Sequence, residues 1–366
     1  MPMDGYSYPF GAFLVNALLQ QGIEVVVVTS VPGIESELSW ESGSLKVIAT
    51  PRRDSRKIVF DNYAKERKAM IAALRRSNPD LVHAQWTYEF CHSARKSGLP
   101  FLVTARDAPW LVCRYFRKFY RLYRAFYAYW ALFGVRNLTA VSPHIASHFK
   151  KYYGFNDNLS IIPNAIPDDV LVKEAKKHPG NDELLLLSVS SWGSLKNVKT
   201  TLRAFSFLLE KYPSAHLRLI GSGLEMDSEA YLWANARGLS RNVDFAGKIE
   251  HEEIMHILRN DTHLFVYSSL EESFCMVVLE AMASGVPVVV LPDSGAIPWL
   301  VGNGSCGEIA SKQSPEALAK ACLSVLNTPK YYESLASAGL ECVVKKFTME
   351  QVTELYIKTY NRILGQ

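Results

Sequence analysis

Short runs of apolar, mostly β-branched residues recur along the chain and alternate with segments of helical periodicity. The first run, IEVVVVT, covers residues 23–29 and follows a helical pattern that ends at Gly22. Uninterrupted apolar runs of this length are typical of parallel strands that are buried on both faces. The alternation predicts an α/β fold built from doubly wound parallel sheets. The other predicted strands are 81–83, 101–104, 138–141, 159–162, 184–189, 216–220, 243–246, 264–267 and 286–291.

The chain has 366 residues, which is long for one domain and predicts two. Residues 167–182 are polar, bounded by prolines and without strand pattern, so they are interpreted as a linker. We expect Rossmann-like domains at 1–166 and 183–348, and a C-terminal helix at 349–366 that packs back toward the first domain. Residues 1–9 predict a turn before a helix. The strand that normally opens such a domain is therefore expected to be missing or to lie upstream, and the second explanation is favoured.

The net charge of +4 is divided unevenly along the chain. Residues 1–165 carry 21 basic and 12 acidic side chains, whereas residues 166–366 carry 19 and 24. A basic first half and an acidic second half indicate two domains that face different partners. The six cysteines show no C-x-x-C spacing, and no apolar run approaches the roughly 20 residues of a membrane span. Because the N-terminus also lacks a secretory signal pattern, these features predict a cytoplasmic protein.

Two carboxylates, Glu272 and Glu280, lie eight residues apart. The first is in a loop after a predicted strand, and the second is in an apolar helix that Gly285 is expected to end. A carboxylate accepts two hydroxyl hydrogen bonds, which suits the vicinal hydroxyls of a sugar, and the N–H groups that open the helix offer an anion site. The pair therefore indicates a nucleotide-sugar site. A solvated loop glutamate and a second glutamate on an exposed helix face are equally consistent with the spacing alone.

The segment around these carboxylates resembles the E-x7-E motif of glycosyltransferase family 4, whose members are retaining enzymes with the two-domain GT-B fold. In this sequence the motif is Glu272-x7-Glu280, and AMASGVPVV follows it. The resemblance covers nearly the whole chain, because further segments match in the family's order and spacing. It implies two Rossmann-like domains that face each other across a cleft. The further segments are VSPHIASHFKKYYGF…IIPNAI (141–166), SWGSLKNVKTTLRAF (191–205), LRLIGSG (217–223) and VDFAGKI (243–249).

The resemblance also implies a role for each matching residue. Glu272 would contact the donor sugar near the reacting carbon, Glu280 would hold the ribose hydroxyls, and Lys196 would neutralise the diphosphate as it leaves. Gly11, expected in the loop before the first helix, would let the backbone approach the donor. The other donor-binding positions would be Ser191, Gly221, Gly247, Lys248, Ile249, Ser273, Phe274, Cys275 and Met276. The acceptor-side residues would be Arg106 and Asp107.

The implied function is retaining transfer of a hexose-type sugar from a nucleotide-diphosphate sugar to a glycan or polyprenyl-linked acceptor, in cell-surface polysaccharide synthesis. The sequence has no D-x-D pair, so we expect no metal and no cofactor apart from the donor substrate. Several positions depart from the family pattern and keep two alternatives open: a catalytically impaired nucleotide-sugar-binding partner subunit, or a GT-B epimerase acting on the nucleotide sugar. The departures are Ser191, Arg106, Ser273, Cys275 and Trp299, where the family usually has arginine, histidine, glycine, glycine and glutamate.

A basic, aromatic stretch lies in the first half, where no acidic residue occurs between Asp107 and Asp157. On one continuous helix its cations would share an arc of about 120°, at roughly 100° per residue, with aromatic side chains on the opposite side. Such a helix is typical of surfaces that contact anionic membranes, here the inner face, although a helix with its aromatic side on the core is the alternative. No nucleic-acid-binding fold is indicated, so nucleic acid is not expected as a partner. The cations of the arc are Arg114, Arg117, Lys118, Arg121 and Arg124.

Overall fold

The computed structural model describes residues 9–53, 56–116, 118–155, 159–180 and 184–365. The chain divides into two compact units. Unit 1 comprises residues 1–165 together with 349–366, and unit 2 comprises residues 166–348. In both units parallel strands alternate with helices, which confirms the α/β class that the apolar runs predicted.

Unit 1 is assembled from both ends of the chain. Its first described helix, α1 (Pro9–Gln20), buries Phe10 and Leu14 in a cluster that also holds Val352 and Tyr356 of the C-terminal helix. Residues 1–8, most of the predicted N-terminal turn, lie outside the described residues. The other elements of unit 1 are β1 (Val25–Pro32), β2 (Leu38–Ser42), β3 (Leu45–Arg52), α2 (Ala64–Ser77), β4 (Val82–Gln85), α3 (Glu89–Ser97), β5 (Phe101–Ala105), α4 (Pro109–Tyr115), α5 (Phe119–Leu132), β6 (Leu138–Ala140), α6 (Pro143–Tyr153), β7 (Leu159–Ile161) and the C-terminal helix α14 (Met349–Leu364).

The strands of unit 1 form two separate sheets. One is fully parallel in the order β4-β5-β6-β7, and the other has the order β1-β3-β2, with β2 antiparallel to β3. The prediction that residues 23–29 form a strand buried on both faces is wrong, because each residue of β1 keeps part of its surface exposed. The physical reason is its position at the edge of the three-stranded sheet, where, among the strands that the structure describes, only one neighbours it.

Unit 2 contains a complete doubly wound sheet. Its strand order is β10-β9-β8-β11-β12-β13, and every pair is parallel. Counted within the unit, this is the 3-2-1-4-5-6 order of dinucleotide-binding domains. The elements of unit 2 are β8 (Leu185–Val189), α7 (Val198–Leu208), β9 (His216–Ile220), α8 (Glu229–Asn235), β10 (Val243–Gly247), α9 (His251–Asn260), β11 (Leu264–Tyr267), α10 (Met276–Ala283), β12 (Val288–Val290), α11 (Ile297–Leu300), β13 (Glu308–Ile309), α12 (Pro315–Leu326) and α13 (Pro329–Lys346).

The segment predicted as a linker, residues 167–182, lies in unit 2 and is bonded to it. The N–H of Val172 donates to the carbonyl of Ala283 at 3.1 Å, and the N–H of Lys176 donates to the carbonyl of Gly285 at 2.9 Å. Gly285 has a φ of +67°, and a Cβ there would lie 2.8 Å from the Cα of Ala175. Glycine is therefore required both by the left-handed end of α10 and by the close approach of this segment.

Candidate active site

The residues predicted for the donor site in unit 2 meet at one edge of its sheet. β8 and β11 are neighbours at the point where the strand order reverses, and ligands of doubly wound sheets bind outside the carboxyl ends of the strands at this point. The loop after β8 carries Ser191 and Lys196, and the loop after β11 carries Glu272. The fold therefore brings together a cation and a carboxylate that lie 76 residues apart in the sequence.

Lys196 and Glu272 form an ion pair. The Nζ of Lys196 donates to the Oε1 of Glu272 at 2.5 Å, and the Glu272 side chain is largely buried. Burial acts to lower the pKa of Lys196, but the charge of Glu272, the neighbouring Cys275 and the hydrogen bond to Glu272 together outweigh it, so the pKa is raised and the lysine stays charged. The predicted alternative of a solvated loop glutamate is wrong for Glu272.

Tyr267 is a site residue that the sequence did not single out. Its hydroxyl donates to the Oε1 of Glu272 at 2.8 Å and accepts from the Nζ of Lys196 at 3.2 Å. Burial, together with the neighbouring Cys275 and Glu272, raises the pKa of Tyr267 well above its usual value. Tyr267 is therefore a neutral donor that holds the carboxylate in place. The only signal available in the sequence was its position as the last residue of a predicted strand.

The loop from Ser273 to Cys275 leads directly into α10, whose first residue is Met276. Cys275 precedes the helix with φ +85° and ψ +80°, a region that costs a non-glycine residue on the order of 1–3 kcal/mol. The cysteine is thus a residue in a glycine-like conformation, at a position where the family pattern has glycine. Its thiol is buried beside Tyr267. Burial raises the pKa of the Cys275 thiol, so it remains neutral beside Glu272.

The side chain of Phe274 points into an aromatic cluster. It packs edge-on against Trp299 and Phe347, at ring-centroid distances of 6.2 and 5.9 Å. Trp299, which stands where the family pattern has glutamate, packs in turn on Phe347 at 5.6 Å. The departure at Trp299 is therefore apolar packing, and what Phe274 can offer a ligand is its backbone.

Glu280 lies inside α10 and is paired with His251 at the start of α9. The Nε2 of His251 lies 3.0 Å from the Oε1 of Glu280, and Glu280 is 8% exposed. The hydrogen bond to Glu280 is the main cause of the raised pKa of His251. The alternative of an exposed helix glutamate is wrong for Glu280. His251 was not predicted, and nothing in its local pattern distinguishes it from a surface histidine.

Two glycines lie at the same edge of the sheet, Gly221 directly after β9 and Gly247 as the last residue of β10. A Cβ on Gly221, whose φ is +133°, would lie 1.6 Å from the carbonyl oxygen of Ser190, and one on Gly247 would lie 2.6 Å from the Cγ of Glu225. The N–H of Gly221 donates to the carbonyl of Gly247 at 2.7 Å. The adjoining predicted residues are Lys248, which is exposed, and Ile249, which is half-buried.

Gly11 does not lie in a loop as predicted. It is the third residue of α1, because the helix already begins at Pro9, and proline is favoured in the first helical turn. Its backbone is helical, so the conformational freedom for which glycine was expected at this position is not used.

Arg106 and Asp107 follow β5 at the carboxyl edge of the four-stranded sheet. Arg106 is buried; its Nε donates to the Oε1 of Gln85 at 2.7 Å and its Nη1 to the Oδ1 of Asn164 at 2.5 Å. Asp107 accepts from the hydroxyl of Tyr88 at 2.7 Å, and burial raises the pKa of its carboxyl. Amide side chains from the ends of β4 and β7 thus hold Arg106 within unit 1.

The stretch predicted as one basic helix forms two helices, so the prediction of a single arc of cations is wrong. α4 ends at Tyr115 and α5 begins at Phe119, which places Arg114 and Arg124 on different helices. Arg114 and Lys118 are exposed and Arg121 is half-buried. Arg117 lies outside the described residues.

Arg124 points inward. Its Nη1 is 2.8 Å from the Oε2 of Glu89, and its guanidinium lies 3.4 Å from the centre of the Tyr88 ring. The aromatic side chains are divided as well, because Tyr127 is buried whereas Phe119 and Phe126 are exposed. The alternative of one helix with its aromatics on the core and its cations in water is therefore wrong for both sets of side chains.

The described residues contain neither a membrane-spanning helix nor a three-residue metal cluster. None of the helices in the described ranges is long and apolar enough to cross a membrane. Among the described His, Cys, Asp and Glu residues, no group of three is arranged to hold a metal ion. All six cysteines are free thiols.

Comparisons with known proteins cover both units. A family model described as "Glycosyltransferase Family 4" matches residues 12–170, and one described as "Glycosyl transferases group 1" matches residues 172–341. An N-acetyl-alpha-D-glucosaminyl L-malate synthase from Bacillus anthracis is 26% identical over 62% of this chain and 60% of its own length. A lipopolysaccharide core biosynthesis glycosyltransferase from Rhizobium meliloti is 29% identical over 52% of this chain and 53% of its own length.

A solved structure extends the comparison to the whole fold. Sucrose-phosphate synthase from Thermosynechococcus elongatus superposes with a TM-score of 0.78 at 17% identity, over 99% of this chain and 94% of that one. The chain spans little more than half the length of the two curated relatives, so their activities are not transferred with the fold. The two consecutive family matches and the shared architecture show that the chain belongs to glycosyltransferase family 4 and has the GT-B fold.

Proposed function

We propose that this protein transfers a hexose-type sugar, with retention, from a nucleotide-diphosphate sugar to a glycan or polyprenyl-linked acceptor in cell-surface polysaccharide synthesis. The observation that carries the proposal is the pairing of Lys196 with Glu272 at the switch point of the unit 2 sheet. A diphosphate can exchange with the carboxylate on the lysine, which leaves Glu272 free to face the sugar. Family membership supports transferase chemistry at this position.

The proposed chemistry uses charges that are already in place. Cleavage of the bond between sugar and diphosphate leaves negative charge on the phosphate and positive charge on the anomeric carbon. Lys196 and the N–H groups that open α10 would stabilise the first, and Glu272 the second. Because the protein supplies this cation itself, the proposal includes no metal and no cofactor besides the donor.

Retention would follow from attack on the same face that the phosphate leaves. A covalent intermediate would need a carboxylate free to act as nucleophile. Glu272 keeps its hydrogen bond to Tyr267 when the diphosphate takes its place on Lys196, and Glu280 is bonded to His251. These pairings favour a course in which the departing phosphate guides the acceptor hydroxyl.

The acceptor class and the location are inferred from the relatives and from unit 1. The Rhizobium meliloti relative is named for lipopolysaccharide core biosynthesis, which supports a glycan or lipid-linked acceptor here. Such acceptors are built at the inner face of a membrane, so we infer a cytoplasmic protein that works there. The cation-rich stretch from Arg114 to Lys151, without an acidic residue, is consistent with that location.

The test is transfer of sugar to a panel of glycan and lipid-linked acceptors in the presence of EDTA. We expect Glu272→Gln to lower the rate by about a hundredfold or more, because it removes a charge placed for the transition state. Glu253→Gln, a change at an exposed carboxylate of the same unit, is the matched control. Transfer by Glu272→Gln at the wild-type rate would overturn the site assignment, and an inverted anomeric product would overturn retention.

A second function is favoured by two features of the site. Cys275 fills a glycine position at positive φ, and Trp299 replaces a glutamate with apolar packing. These changes would suit a subunit that binds the donor without turnover. Tight donor binding with no transfer to any acceptor of the panel would support this alternative. Conversion of the sugar of the nucleotide sugar to its epimer, in the absence of acceptor, would support an epimerase.

A further inference from the structure

An apolar stripe runs along the solvent side of α5 and continues to the residue after it. Its members recur at intervals of three and four residues, so they lie on one face of the helix. The most exposed are Phe119 at 81%, Phe126 at 58% and Phe133 at 77%. We call the full set the aromatic stripe; its residues are Phe119, Leu122, Phe126, Tyr129 and Phe133.

The opposite face of α5 explains why these large side chains are outside. The helix packs on unit 1 through small residues, among them Ala125, Ala128 and Ala131, which are buried. At roughly 100° per residue these alanines lie on the side away from Phe119 and Phe126. Proteins that stay monomeric in water rarely expose a continuous apolar patch of this kind, so the stripe indicates an interaction surface.

The charges around the stripe indicate what covers it. Lys118 precedes α5 and Arg136 follows Phe133, and both are exposed. Arg114 is exposed on α4, which packs against α5 through the rings of Trp110 and Phe126, 5.2 Å apart. The sequence from 108 to 156 contains no carboxylate that could balance these cations.

A second copy of the chain and a lipid surface differ in how they meet this pattern. Two copies joined through the stripe would bring like charges together, which is unfavourable. An anionic bilayer offers phosphates to the flanking cations and an apolar layer to the rings, and aromatic side chains favour that interface. The distribution of charge therefore favours the bilayer.

We propose that the aromatic stripe of α5 inserts into the headgroup region of an anionic lipid bilayer, with Arg114, Lys118 and Arg136 against the lipid phosphates. The fourteen residues of α5 would lie in the membrane plane over about 21 Å, at 1.5 Å per residue. In this proposal exposed rings make the membrane contact, whereas the sequence predicted contact through a face of cations. Arg124, one of those cations, is instead paired with Glu89 inside unit 1. The proposal rests on the membrane location inferred under the proposed function and assigns the surface that makes the contact. The two can be tested separately, because a protein can bind vesicles without transferring sugar.

The test is flotation of the full chain with vesicles of phosphatidylcholine alone and of phosphatidylcholine with 30% phosphatidylglycerol, a fraction of roughly physiological anionic charge. We expect the wild type to float with the anionic vesicles and only weakly with the neutral ones. The double variant Phe119→Ser/Phe133→Ser should bind about a hundredfold more weakly, because each inserted ring contributes on the order of tenfold. Arg114→Gln/Lys118→Gln should lose the preference for anionic lipid and the dependence on salt.

The controls separate this proposal from the proposed function and from poor folding. Phe207→Ser/Leu232→Ser removes two exposed apolar side chains of unit 2 and should float like the wild type. Thermal unfolding and donor binding of Phe119→Ser/Phe133→Ser should match the wild type, since both rings face water. Unchanged flotation of that variant would overturn the proposal. So would failure of the wild type to float, combined with a dimer in solution that the same variant dissociates.

Discussion

Both units are built from parallel strands and helices, but they differ in how completely the strands join into one sheet. In unit 2 six parallel strands form one sheet, and most predicted donor residues of this unit lie on loops at its carboxyl edge, whereas Glu280 lies in α10. In unit 1 the strands form a sheet of three and a sheet of four, and the apolar strand β1 is left at an edge. A complete sheet fixes both burial and the location of the site, whereas a divided sheet leaves apolar residues whose environment the local sequence does not determine.

The loops at the carboxyl edge of the unit 2 sheet lie close together, and a substitution there should have the largest effect of the changes compared. Gly221→Ala should destabilise the protein by about 3 kcal/mol, because it combines a left-handed φ with a Cβ that meets the Ser190 carbonyl. Gly238→Ala is the matched control: its φ is +65°, and no atom lies within 4 Å of the added Cβ. We expect it to cost about 1 kcal/mol. Denaturant unfolding measures both, and equal losses would show that the edge is not tightly packed.

Tyr267 tests whether the edge of unit 2 also positions chemistry. Tyr267→Phe removes the hydroxyl that bonds Glu272 and Lys196, and we expect kcat to fall about tenfold, the effect of losing one hydrogen bond to a charged group. The KM for the donor should change little, because the hydroxyl acts through Glu272. Tyr332→Phe, which removes a bond to the His263 carbonyl elsewhere in unit 2, is the control and should leave kcat unchanged. A rise in KM at constant kcat would instead indicate that Tyr267 contacts the donor.

His251 should produce the smallest effect, and it depends on pH. Its pKa is raised by Glu280, so the charged pair is complete at low pH and is lost as the pH rises through that pKa, above the ordinary imidazole value of about 6.5. If Glu280 holds the ribose hydroxyls, as proposed for this site, protonated His251 would compete with them for its carboxylate. We therefore expect the donor KM to rise a few-fold as the pH falls through this window. His251→Gln should flatten the profile, and a profile that keeps its slope in this variant would exclude His251 as the cause.

The sequence predicted unit 2 better than unit 1 for a physical reason. Buried parallel strands such as Leu264–Tyr267 are apolar throughout, so the run itself marks the strand and its end marks the site. The hairpin of β2 and β3 was missed because the alternating polar residues of Leu38–Ser42 lie on an exposed strand. The hydroxyl of Tyr267 and the ring of His251 acquire their partners from residues 5 and 29 positions away, which no local pattern shows.

The α5 region shows a different limit. A helical wheel assumes one continuous helix, and the change from α4 to α5 between Tyr115 and Phe119 is marked by neither glycine nor proline. Even with the correct ends, the wheel cannot tell which face packs inward. The pairing of Arg124 with Glu89 and the packing of the alanines decide it, and both depend on tertiary structure.

The central claim is that Lys196, paired with Glu272, is the cation that receives the donor diphosphate. Calorimetric titration with UDP-, GDP- and ADP-sugars in EDTA tests it directly, with Lys211→Ala, an exposed lysine of unit 2, as the control. We predict that the sugars of one of these nucleotides bind, and that their affinity is the same for the wild type and for Lys211→Ala. Lys196→Ala should bind them at least about tenfold more weakly, because a charge-assisted contact to phosphate is lost. Binding of the donor to Lys196→Ala with wild-type affinity would contradict the account.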